Sequence, residues 1–110
     1  MSGQDRYLSQ IVSILAQGLK GRQCEVYLFG SRATGEYSET SDFDIIVFSQ
    51  EDIGGELSLI REQLEMSNIP FLVDLVDGRR VSPEFAAQAR EEGRLLWSNY
   101  VNESRPVNER

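Results

Sequence analysis

The chain has 110 residues, a formal charge of −7, 26% charged and 40% hydrophobic residues, and no histidine. That size holds one modest core. The composition is that of an ordinary water-exposed domain, and no apolar run nears the roughly 20 residues that would span a bilayer, so a membrane protein is excluded. The negative balance would repel a phosphate backbone and argues against long nucleic acid as the main ligand. Without imidazole, acid–base or metal chemistry has to run on carboxylates. A lone Cys24 and a start without a basic, apolar leader predict a cytoplasmic protein.

Leu8, Ile11, Val12, Leu15 and Leu19 recur at three- and four-residue steps, which predicts an amphipathic helix over Asp5 to Leu19, stopped by Gly21. Cys24 to Phe29 (CEVYLF) and Phe43 to Phe48 (FDIIVF) are β-favouring runs. The connection between them, Gly30 to Ser41, is long for a hairpin, and such loops often carry function. Leu57, Ile60 and Leu64 predict a second helix over Glu56 to Met66, after Gly54-Gly55 and before Asn68 and Pro70. A third strand is expected at Phe71 to Val76 (FLVDLV), ended by the turn pair Asp77-Gly78. Ser82 then caps a helix with Pro83 in its first turn, running to Gly93 before Leu95 to Trp97. The order helix, strand, strand, helix, strand, helix points to an α/β or α+β layer, a small mixed sheet flanked by helices. One domain is expected over 1–97, with a polar, flexible C-terminal tail over 98–110.

Asp42 and Asp44 open the second strand with one residue between them. Strand side chains alternate, so both carboxylates project to one face with Cα atoms about 6 to 7 Å apart, while Phe43, Ile45 and Val47 take the other. Like charges so close call for a cation, and magnesium suits a carboxylate pair better than zinc. Asp74 lies within FLVDLV, where an unpaired carboxylate would be costly to bury, and a shared metal would satisfy it. Asp77 falls on the opposite face and is assigned to the turn. Gly30-Ser31 follows the first strand in a position where glycine admits a phosphate to the backbone and the hydroxyl can bind its oxygens; Arg32 is the nearest cation. Taken singly, the aspartates also read as turn residues or ion-pair partners, Gly-Ser as a turn and Arg32 as a surface charge. Their combination points to phosphate and metal chemistry.

Gly30-Ser31, ten intervening residues and Asp42-Phe43-Asp44, followed by PFLVDLVD, resemble the signature of nucleotidyltransferases in the DNA polymerase beta superfamily, in particular the minimal nucleotidyltransferases. The resemblance covers Leu8 to Trp97. It implies a mixed sheet flanked by helices, two magnesium ions bound by Asp42, Asp44 and Asp74, and a triphosphate, expected to be that of ATP, held at Gly30 and Ser31 with Arg32 beside them. It implies further a separate helical partner of the HEPN type, since such proteins serve as antitoxins of toxin–antitoxin pairs and some adenylylate a tyrosine of the toxin. Two other functions stay open at this point: an antitoxin that neutralises its partner by contact alone, and a subunit transferring nucleotides to a small molecule.

Overall fold

A computed structural model of the chain describes residues 3–30, 33 and 42–99. Its elements are α1 (Gly3–Gly18), β1 (Cys24–Phe29), β2 (Phe43–Ser49), α2 (Gly54–Glu65), β3 (Val73–Asp77), a 3₁₀ turn (Gly78–Arg80), α3 (Pro83–Glu92) and β4 (Arg94–Ser98). The strands form one mixed sheet in the order β3-β2-β1-β4. Strand β1 is antiparallel to β2 and to β4, whereas β2 and β3 are parallel and joined through α2. The small mixed sheet flanked by helices is therefore the architecture expected from the sequence.

Alternation along the strands divides the core between the two faces. Cys24, Val26, Leu28, Phe43, Ile45, Val47 and Leu75 pack against Leu8, Ile11, Leu15 and Leu19 from the first helical segment and against Ile53, Leu57, Ile60 and Leu64 around α2. Each fully buried aliphatic side chain of this layer contributes about 1.5 to 3 kcal/mol. The two helices approach closely at Gly18, where a β-carbon would lie 2.7 Å from Ile60 Cδ1. On the opposite face Ile46, Phe48 and Ala89 form a smaller cluster with Tyr27, Phe29, Val76, Val81 and Ala86 beside them. Helix α3 covers this face, capped by Ser82 Oγ accepting from Phe85 N–H at 3.1 Å. Arg90 fastens it, pairing with Glu25 at 2.6 Å and lying 3.9 Å over the Phe48 ring.

Three expectations need adjusting. Helix α1 buries Leu8, Ile11 and Leu15 as its spacing requires, but Val12 is only half-buried and Ile14 packs on the core beside them. The third strand begins two residues later than the apolar run suggested, because Phe71 packs edge-on against Tyr7 and Phe43 ahead of the strand. Strand β4 was not expected: RLLWS follows Gly93 with only two half-buried side chains, and its role is to pair with β1 along the sheet edge. Past Trp97, Ser98 pairs with Glu25, and Asn99 donates from its backbone N–H to Cys24 O and from Nδ2 to Arg22 O, both at 2.8 Å. The remainder of the expected tail, from residue 100, lies outside the described residues.

Candidate functional site

The topology assembles the site. Because β1 runs against β2 and β3 runs with it, the end of β1 and the starts of β2 and β3 share one end of the sheet. Across that end stand Asp74, then Asp44, then Phe29-Gly30, since Asp44 is in register with Asp74 on one side and with Phe29 on the other. In-register neighbours project to the same face, so Asp44 and Asp74 lie on the face that carries Ile46 and Val76, and Asp42, two residues before Asp44, shares its parity. This is the α3 side of the sheet, where Phe29 meets Phe85 edge-on at 5.5 Å.

The three aspartates differ in surroundings. Asp42 precedes β2 and is exposed, Asp44 is half-buried, and Asp74 is exposed as the second residue of an edge strand. The burial cost expected for Asp74 therefore does not arise, because it sits at the open start of β3 rather than amid its apolar residues. Asp44 carries the strain instead. Its carboxyl is pushed up from the ordinary range, first by burial and then by the charges of Asp74 and Asp42. Asp77 is a turn residue as expected: its Oδ1 accepts from Arg79 N–H at 3.0 Å, with Arg80 Nε 3.7 Å from Oδ2.

Gly30 has φ +76°, a left-handed value that other residues rarely adopt. A β-carbon there would collide with Asp44 Oδ2 and lie 3.2 Å from its Cγ, so only a residue without a side chain leaves the carboxylate room. Gly30 O accepts from Ala33 N–H at 3.1 Å, which starts the turn out of the strand. Ser31 and Arg32, the other expected phosphate contacts, lie outside the described residues. Arg94 pairs with Leu28 and so brings an exposed cation to the Gly30 end of β1, with the register of Leu28 setting it on the face opposite the carboxylates. Finding it requires knowing that RLLWS joins the sheet.

Asp42, Asp44 and Asp74 thus set three carboxylates on one face of the sheet end, the central one disfavoured as an anion first by burial and then by its two neighbours. Among the described residues no three acidic, histidine or cysteine side chains are drawn into a preformed cluster able to hold a metal.

The fold is that of a nucleotidyltransferase domain. The family described as Polymerase beta, Nucleotidyltransferase matches residues 10–101, and the chain belongs to it. The chain is 26% identical over 98 residues to the "putative protein adenylyltransferase" of Methanocaldococcus jannaschii, spanning 86% of this chain and 98% of that protein. Among solved structures, it is similar to a chain of a toxin–antitoxin complex with AMP-PNP, at 29% identity and TM-score 0.64, over 83% of this chain and 73% of that one. It is also similar to a chain of the tri-AMPylated Shewanella oneidensis HEPN toxin in complex with MNT antitoxin, at 26% identity and TM-score 0.56, over 87% and 73%. No helix among the described residues is long and apolar enough to cross a membrane.

Proposed function

We propose that this nucleotidyltransferase moves AMP from ATP to a hydroxyl on a helical partner protein of the HEPN type, and that the transfer makes it the antitoxin of a toxin–antitoxin pair. One observation carries the reading: Asp44 stands in register with Asp74 on one side and, on the other, packs into the space that Gly30 leaves by having no side chain, so acidic groups and a glycine turn adjoin on one sheet end. The relatives' association with AMP-PNP and with an AMPylated HEPN toxin supports the choice of nucleotide and partner.

In this reading the backbone at Gly30, with the Ser31 hydroxyl and the Arg32 guanidinium, holds the triphosphate. Asp42, Asp44 and Asp74 hold magnesium, two ions in the full site, which when bound supplies positive charge against the phosphate oxygens. The acceptor oxygen forms a bond to the α-phosphorus, the bond to the β-phosphate bridging oxygen breaks, and pyrophosphate leaves. Asp74, the exposed carboxylate farthest from Gly30, takes the proton of the acceptor hydroxyl. The setting is the cytoplasm, where ATP is at hand.

The test is to incubate the protein with α-labelled ATP, magnesium and the protein encoded beside it, and to locate the label by mass spectrometry. AMP on a partner hydroxyl, absent without magnesium, is the expected result. A partner that is neutralised without acquiring AMP would overturn the reading.

A further inference from the structure

Strand β3 is an outer strand, and beside it lies a cavity of about 330 Å³ lined by Arg61, Leu64 and Glu65 of α2, by Ile69, Phe71, Leu72 and Val73, and by Asp74 and Leu75. Its lining is mostly apolar, and Leu72 on its wall is 73% exposed. The cavity is of a size that takes a side chain or small ligand. It adjoins Asp74, one of the three site carboxylates, on the side of the sheet end farthest from Gly30.

The edge next to it is open in part. Leu72 O accepts from Phe43 N–H at 2.9 Å, which fixes the phase of the parallel ladder: Leu72, Asp74 and Val76 turn their backbone groups to β2, whereas Val73 and Leu75 turn theirs outward. The outward carbonyl of Leu75 is taken by Arg61 Nη2 at 2.8 Å. Val73 thus offers an N–H and a C=O to an incoming strand, and Arg61 stops that strand from running on past Leu75.

We infer that the β3 edge is the acceptor subsite, and that it binds an extended segment of the protein acceptor in which an apolar residue neighbours the residue that carries the reacting hydroxyl. This rests on the nucleotidyl transfer proposed above. In an added strand, successive side chains point to opposite faces. One side chain therefore enters the cavity on the α2 side while the next emerges on the carboxylate side, beside Asp74. The direction of approach agrees with the chemistry. In-line displacement needs the attacking oxygen and the departing pyrophosphate on opposite sides of phosphorus, and Gly30 and Asp74 occupy opposite sides of Asp44. The chain's charge of −7 favours a basic segment.

The probe is a synthetic octapeptide, Lys-Thr-Lys-Thr-Ile-Thr-Lys-Thr, titrated into the isotopically labelled full chain with magnesium and the non-hydrolysable AMP-PNP present, and followed by NMR. The Val73 amide and the Leu64, Leu72 and Leu75 methyls shift on binding. Replacing the isoleucine by glycine, or making Leu72→Glu, weakens binding about tenfold or more. Leu59→Glu, which alters another exposed leucine of α2 outside the cavity lining, leaves it unchanged. A parallel titration with magnesium and AMP-PNP alone reads the Gly30 and Asp44 amides. If these respond but the peptide leaves Val73 and the cavity methyls unmoved, or binds equally with Leu72→Glu, the acceptor subsite is wrong and the nucleotide site stands. If Gly30 and Asp44 do not respond, the nucleotide reading falls and the subsite with it.

Discussion

Two glycines have nearly the same backbone and unlike neighbours, and together they separate the cost of a strained residue from the cost to the site. Gly21 has φ +85° and Gly30 φ +76°. Alanine at either position meets a left-handed penalty of about 1 to 2 kcal/mol, equivalent to a fall in Tm of roughly 4 to 8 °C per kcal/mol for a domain of this size. At Gly21 nothing lies within 4 Å of the new β-carbon, whereas at Gly30 the carbon collides with Asp44 Oδ2 and crowds its Cγ at 3.2 Å. Gly30→Ala must therefore move the Asp44 carboxylate, and a displacement of about 1 Å at reacting groups lowers rates on the order of a hundredfold. Thermal melts and AMP transfer to the partner protein, measured side by side, check this. Both variants should lose stability to the left-handed backbone, Gly30→Ala at least as much as Gly21→Ala, and only Gly30→Ala should lose transfer by about a hundredfold per folded molecule. Equal activities in the two variants would refute the claim that Gly30 is glycine for the sake of Asp44.

Asp44→Asn removes a half-buried charge facing Asp74 across adjacent strands. Two carboxylates about 5 to 6 Å apart repel by about 3 kcal/mol at an effective dielectric of 20, and by about 1 kcal/mol once the solvent around exposed Asp74 is counted. The variant should melt a few degrees above wild type in EDTA and gain little from magnesium, which should stabilise wild type; melts with and without the ion check this. Ser82→Ala deletes the hydroxyl that caps α3 and should cost about 1 kcal/mol in denaturant unfolding, with transfer per folded molecule unchanged. The Cys24 thiol is pushed up to about 11, first by burial and then by the charges of Glu51 and Glu25. At pH 8 it stays protonated in the native protein, so iodoacetamide should alkylate it only after unfolding, as intact mass would record.

Much of this was legible in the residues because each strand run repeats a face. CEVYLF alternates and coincides with its strand, FDIIVF is a continuous β-favouring run whose strand ends one residue later at Ser49, and the parity of Asp42 and Asp44 follows from strand geometry alone. The register of Asp44 against Asp74 was not legible, since it depends on α2 returning the chain so that β3 lies parallel to β2. Asp74 looked buried because FLVDLV is apolar in sequence, yet an edge strand that starts at Val73 leaves its second residue in solvent. Strand β4 escaped notice for a related reason: an edge pairing supported by two half-buried side chains leaves little hydrophobic pattern to read.

The most direct test of the central claim, that carboxylates from two parallel strands act as one unit, is the single-turnover rate of AMP transfer for Asp44→Asn, Asp74→Asn and the double variant. Groups that act together lose their effect together. Each single substitution should abolish most of the rate, and the double variant should be no slower than the worse single. An Asp74→Asn protein that transfers AMP at the wild-type rate would contradict the account.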